Sequence, residues 1–166
     1  MIILGIDPGL QVCGYAVINA GIGSFELVEA GVFRTDGDAG LETRLNQIAT
    51  DLSCILDNHK PEVVAVEQLY AHYKHPRTAI LMGHARGVIL LEAARSGAEV
   101  KDFAATRIKK SLTGNGRASK VQMQRSIQTL LGLADVPEPN DVADAIAVAL
   151  CCSNEAGQAC GDWASE

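Results

Sequence analysis

Two periods of apolar and polar positions alternate along this chain. Ile2 to Ile6 is an unbroken apolar run rich in β-branched residues, which predicts a strand buried on both faces with Asp7 at its end. Pro8 and Gly9 then predict a turn. Cys13 to Asn19 and Phe25 to Phe33 read as two further strands joined by short glycine-bearing connections, so the opening is an antiparallel meander. From Leu41 the spacing changes. Leu41, Leu45, Ile48, Leu52, Ile55 and Leu56 form one face of a helix that His59, Lys60 and Pro61 stop. Glu62 to Val66 predicts a second buried strand, reached by a right-handed crossover, with Glu67 at its end.

The second half continues the alternation. Residues 78–95 predict a long helix, small on one face through Gly83, Ala85 and Gly87, and Glu99 to Phe103 a short strand. A looser basic stretch follows, with Gly-Asn-Gly at 114–116, and then a helix from about Ala118 to Leu131. After the breaker Pro137-Glu138-Pro139-Asn140, a last helix is expected from Asp141 to about Cys152, with Val142, Ala145, Ile146, Ala149 and Leu150 towards the core. Strands alternating with helices place the chain in the α/β class. One domain over residues 1–153 is expected, with 154–166 as a flexible tail.

Composition narrows the function classes. Of the 166 residues, 48% are hydrophobic and 20% charged, as in a soluble globular protein. No run approaches the roughly 18 apolar residues of a membrane span, so no membrane partner is expected. No basic region precedes the first apolar stretch as in a secretory signal, and the cytoplasm is the expected compartment. Five scattered cysteines do not suggest a disulfide framework, and Cys151, Cys152 and Cys160 have no histidine nearby to complete a zinc site. The net charge of −6 argues against a nucleic-acid partner only until its distribution is considered. Lys101, Arg107, Lys109, Lys110, Arg117, Lys120 and Arg125 fall within 25 residues that hold the single acid Asp102, and no Lys or Arg occurs from residue 126 onward. That segregation predicts a basic face beside an acidic one.

Candidate chemistry lies in four acids. If the strands ending in Asp7 and Glu67 are neighbours, their carboxylates emerge at one sheet edge and repel each other unless a cation or proton intervenes. Asp141 and Asp144, three apart at a helix start, share a face and would add two more. Each has a bland reading alone: Asp7 as a turn former, the aspartate pair as acids favoured by the helix dipole. Glu67 is harder to excuse, because glutamate is disfavoured in a buried strand. Four oxygen donors without paired His or Cys favour Mg²⁺ or Mn²⁺ over zinc, and such sites hold two ions for in-line phosphoryl displacement. The basic run reads either as a solvated loop or as a phosphate-binding surface whose glycines permit close approach. Tyr70 and Tyr73, just past Glu67, read equally as surface tyrosines or as aromatics that stack on bases. His72, His75 and His84 form no recognisable metal set.

In order and spacing, IDPGLQVCGYAVI, VVAVEQLY, GHARGV, TGNGRASKVQMQ and NDVADAIAVAL resemble the RuvC-type Holliday-junction resolvases, from about Met1 to Leu150. The resemblance implies a ribonuclease H-like fold, a five-stranded mixed sheet flanked by helices, in a homodimer that binds a four-way DNA junction. By position, Asp7, Glu67, Asp141 and Asp144 would be the catalytic, metal-binding acids, Lys109 and Lys120 the functional lysines beside the scissile phosphate, and Tyr70 the aromatic that meets unstacked bases. Lys74, Arg77, Arg107, Lys110 and Arg117 complete the expected DNA-binding set, and the helix holding GHARGV would lie at or near the dimer interface. The implied reaction is divalent-metal-dependent hydrolysis, with Mg²⁺ as cofactor and Mn²⁺ as a substitute, leaving 5′-phosphate and 3′-hydroxyl ends at paired symmetric nicks. A branch-migration motor of the RuvA-RuvB type is the implied partner. A ribosomal-RNA-trimming nuclease on the same fold and a junction-binding module that does not cut are the competing expectations. A sugar-kinase-like protein is set aside, since 166 residues cannot build its two domains.

Overall fold

A computed structural model describes residues 1–21, 24–69 and 76–161 of the chain. Its centre is a five-stranded mixed sheet in the order β3-β2-β1-β4-β5, formed by β1 (Ile2–Asp7), β2 (Val12–Gly21), β3 (Ser24–Arg34), β4 (Val63–Glu67) and β5 (Glu99–Phe103). The first three strands pair antiparallel as the expected meander. β1 and β4 pair parallel, as do β4 and β5. α1 (Leu41–His59) makes the crossover between the meander and β4, and α2 (Pro76–Ser96) connects β4 to β5. Then come α3 (Ala105–Thr113), α4 (Lys120–Leu131) and α5 (Asn140–Gly161).

Strand parity divides the core into two layers. Leu4, Ile6, Val17, Val64 and Val66 point to one face and pack on Ile48, Leu52, Ile55 and Leu56 of α1 and Ala85, Ile89 and Ala93 of α2. Ile3, Ala16, Ile18 and Ala65 point to the other, against α5, with α3 and α4 outside it. The α5 side is unusually close. A Cβ on Gly5 would lie 2.7 Å from the Ala149 amide nitrogen, nearer than packed atoms approach. Glycine and alanine in β1, β2 and β4 thus form a shallow trough in which α5 lies.

Two local expectations are corrected. The stretch after Phe103 is not loose: Ala105–Thr113 is a helix. Its apolar stripe is short, with Ile108 buried and Leu112 one turn on against the core, so charge masks its period in the sequence. The last helix does not stop near Cys152 but continues to Gly161. Contacts with α3 accompany the extension: Asn154 donates to Ser111 Oγ at 3.1 Å, and Glu155 pairs with Arg107. The start of α4 is close to expectation. Ser119 caps it, accepting from the Gln122 amide while the Gln122 side chain accepts from the Ser119 amide.

Candidate active site

The carboxylates meet because of register. Ile6 pairs with Val66, so Asp7 and Glu67 come next in line at the ends of adjacent parallel strands. Parity turns Asp7, like Ile3 and Gly5, to the α5 face. α5 runs back along β1 from that end, its Asp141 backbone over Gly14 and Ala145 over Gly5. Its first turns therefore bring Asp144 beside Asp7 and Glu67, with Asp141 at the helix start acting on Asp7. Asp7, Glu67 and Asp144 line one cleft of about 200 Å³ with Ala105, Ile108, Lys109, Lys120, Met123 and Ala147. Asp141 is not among its lining residues, yet its charge is felt by both Asp7 and Asp144. Asp7 and Glu67 also border a second cleft of about 640 Å³, walled by Leu69, Ala79, Met82 and Thr106 among others. The two acids stand where the clefts meet.

Electrostatics mark this as a site rather than a surface. Burial, reinforced by Glu67, Asp144 and Asp141, pushes the Asp7 carboxyl up to about 7. Burial and Asp144 raise Glu67, against the pull of Lys109 and Lys120. Asp144 is likewise raised by burial, although Lys120 Nζ stands 3.7 Å from its Oδ2. Grouped half-buried carboxylates of this kind lack enough positive charge among themselves.

The donor chemistry fits a hard divalent cation: three carboxylates and two lysines line one cleft, with no thiol or imidazole among the described residues that line it. As the side chains stand, no three His, Cys, Asp or Glu groups among the described residues converge on a point where an ion would bind. Carboxylates at strand ends and a helix start can turn about their side-chain torsions.

The basic residues divide. Lys109, on α3, and Lys120, at the start of α4, face the carboxylates. Lys110 and Arg117 are exposed nearby, and Arg77 is exposed in the first turn of α2. Arg107 turns to α5 instead, pairing with Glu155 and lying 5.6 Å from the Phe103 ring centroid. Tyr70 and Lys74, with Tyr73, His72 and His75, lie outside the described residues. Sequence reasoning missed Gly5 and Gly14, whose missing side chains admit α5. The available signal was a glycine in the middle of a buried β-branched run.

Residues 3–152 match the sequence profile of the family described as crossover junction endodeoxyribonuclease RuvC. The chain belongs to the RuvC family. A RuvC from Rhodopirellula baltica is 52% identical over 149 residues, covering 90% of this chain and 84% of that relative. The Thermus thermophilus RuvC structure superposes with a TM-score of 0.89 at 30% identity, covering 96% of this chain and 97% of that one. The same RuvC in complex with a Holliday junction substrate gives 0.90 at 29% identity over 96% of both. The sheet and helices are thus those of a RuvC-type, ribonuclease H-like fold. RuvC nucleases are divalent-metal dependent, which agrees with the carboxylate cluster. No helix among the described residues is long and apolar enough to cross a membrane.

Proposed function

We propose that the chain resolves four-way DNA junctions by paired nicks, hydrolysing one phosphodiester per subunit to leave 5′-phosphate and 3′-hydroxyl ends. The observation that carries this reading is the meeting of Asp7, Glu67 and Asp144 in a cleft faced by Lys109 and Lys120, with Asp141 close enough for its charge to act on Asp7, in a chain of the RuvC family. Asp7, Glu67, Asp141 and Asp144 would hold Mg²⁺, or Mn²⁺ in its place, with room in ligand number for two ions. When bound, a divalent ion supplies activation of water and neutralisation of charge on the phosphate. Lys109 and Lys120 hold the scissile phosphate against the carboxylates, which would otherwise repel it. Lys110, Arg117 and Arg77 attract the flanking strands, and Tyr70 and Lys74 complete the junction-contacting set. Arg107 contributes mainly by fastening α3 to α5.

Two-fold nicking calls for a homodimer whose symmetry matches that of the junction. α2 supports one: Ile80 and Leu91 are 63% and 49% exposed, and they lie on one helical face with Gly83 and Gly87, beside which nothing packs among the described residues. A motor of the RuvA-RuvB type is the partner that would bring junctions to this dimer.

The deciding experiment presents the purified protein and Mg²⁺ with a synthetic four-way junction, a linear duplex and a structured RNA. Symmetric nicks in the junction, with duplex and RNA left largely intact, are the expected result. Equal cutting of duplex or RNA removes the resolvase assignment, and tight binding without cutting leaves a junction-binding module.

A further inference from the structure

The two acids of α5 reach Asp7 and Glu67 only if the first turns of that helix sit at one particular depth over the sheet. Asp7 pairs directly with Gly14 across the β1–β2 ladder. Gly14 in turn lies under the backbone of Asp141. A Cβ built there would fall inside the contact radius of the Asp141 carbonyl oxygen, and 2.6 Å from the carbonyl carbon. One glycine is thus both the cross-strand partner of the first acid and the floor beneath the third. The atoms it would strike belong to backbone, which cannot swing aside as a side chain can.

The same turn is held from the other side. Asn140, the residue before Asp141, accepts a hydrogen bond through its Oδ1 from Gln124 Nε2 at 3.3 Å. Gln124 sits on α4, whose first residue is Lys120. Floor and tether together bracket the start of α5 at the point where its carboxylates are presented.

We infer that Gly14 and Gln124 are positioning residues of the carboxylate cluster: Gly14 sets the depth of the first turn of α5 against Asp7, and Gln124 keeps that turn from rotating away. Neither touches the reacting atoms. The inference deepens the metal-dependent reading above and rests on it. A methyl group on Gly14 lifts Asp141 and Asp144 away from Asp7 and Glu67, so the acids can no longer be gathered onto one cation. Loss of the Gln124 tether loosens the same turn without altering the packed trough. Gly5, lower in the trough, performs the ordinary packing task of admitting the helix body.

The test measures binding of Mn²⁺ alone to the full chain by titration calorimetry, without DNA. Gly14→Ala is expected to weaken Mn²⁺ binding about 10-fold, the lower end of the range found for groups that orient metal ligands, and Gln124→Ala, which loses one exposed hydrogen bond, about 3-fold. Leu52→Ala, in the opposite layer, is expected to lower the melting temperature and leave Mn²⁺ binding unchanged. A folded Gly14→Ala protein with wild-type Mn²⁺ affinity overturns the inference. Should Gly14→Ala fail to fold, Gln124→Ala decides: weakened binding upholds the inference and wild-type affinity overturns it. Junction cutting by the wild-type protein separates the two readings. If it cuts and the variants bind Mn²⁺ normally, the positioning role falls alone. If it binds Mn²⁺, the variants weaken that binding and it does not cut, the resolvase reading falls alone.

Discussion

The two faces of the sheet are built from different materials. Towards α1 and α2 the strands present Leu4, Ile6, Val17, Val64 and Val66, and the helices answer with isoleucine and leucine from α1 and with Ala85, Ile89 and Ala93 from α2. This is a mainly branched-aliphatic layer. Towards α5 the strands present Gly5, Gly14, Ala16 and Ala65 between Ile3 and Ile18, and α5 answers at the glycine positions with Ala145, Ala149 and the Asp141 backbone. Small residues give up buried apolar area per position and gain closeness, and closeness is what brings carboxylates on three elements together. α5 regains burial by being covered on nearly every side: Val142, Ala143 and every residue from Ala145 to Ser153 are buried. One face of the sheet is therefore built for stability and the other for proximity. The cost of proximity is electrostatic, since the acids gathered there repel one another.

Opposite effects on rate and stability separate the faces most sharply. Asp7→Asn is expected to slow junction cutting about 1,000-fold, the equivalent of about 4 kcal/mol of transition-state stabilisation, while junction binding persists in a gel-shift assay. The same change removes a repelled buried charge, so in metal-free buffer near pH 8 the variant should melt at a higher temperature than the wild type. Cutting at wild-type rate would sink the role given to Asp7. Leu52→Ala should do the reverse, costing about 2–5 kcal/mol of stability by leaving a cavity, with the cutting rate per folded molecule unchanged. A loss of rate in that variant at a temperature where it is fully folded would show that the two layers are coupled.

Acid titration supplies a finer test, because the faces respond with opposite sign. In the folded protein Asp7 takes up a proton near pH 7, whereas in the unfolded chain it stays ionised down to about pH 4. Across that window the folded state binds more protons, so metal-free stability rises as the pH falls from about 7 towards 4. Raised Glu67 and Asp144 act in the same direction. On the other face Glu29 accepts from the Tyr15 hydroxyl at 2.7 Å and meets His59 Nε2 at 2.7 Å, and these contacts lower its carboxyl. Its contribution is complete above the ordinary glutamate range and is lost as the pH falls below it. Urea midpoints measured between pH 8 and pH 3 should therefore rise and then fall. Glu29→Gln should reduce the acid-limb fall and Asp7→Asn the rise near neutrality. Bound Mg²⁺ should shift the balance towards higher pH, because it requires the acids ionised.

The smallest expected differences lie among the cations. Lys120→Ala should lower the salt slope of junction binding by about 1. Arg107→Ala should leave that slope nearly unchanged and alter stability by less than about 1 kcal/mol, as an exposed ion pair does. A salt slope that falls equally in both variants would return Arg107 to the DNA-binding set.

Much of this arrangement is readable in the residues themselves. Unbroken β-branched runs at Ile2–Ile6 and Val63–Val66 determine buried strands, the leucine and isoleucine spacing from Leu41 determines an amphipathic helix, and an acid at the end of each buried run announces chemistry. The ordered motifs carry the family. The nine-residue helix at Ala105–Thr113 was hidden because so short an apolar stripe is outweighed locally by charge, and it forms through packing on α5. The full length of α5 was hidden for the same reason, as the partners of Asn154 and Glu155 lie more than 40 residues away in sequence.

What only the tertiary structure decided is distance. Local pattern specifies which face a side chain takes, but not how closely two elements approach; that depends on what stands opposite, and opposite Asp141 stands Gly14. The sequence by itself determined which residues bear charge and where the strands end. Packing determined that Lys109 faces the acids while Arg107 turns to Glu155, and that an empty position on β2 lets the first turn of α5 draw close to the strand that ends in Asp7.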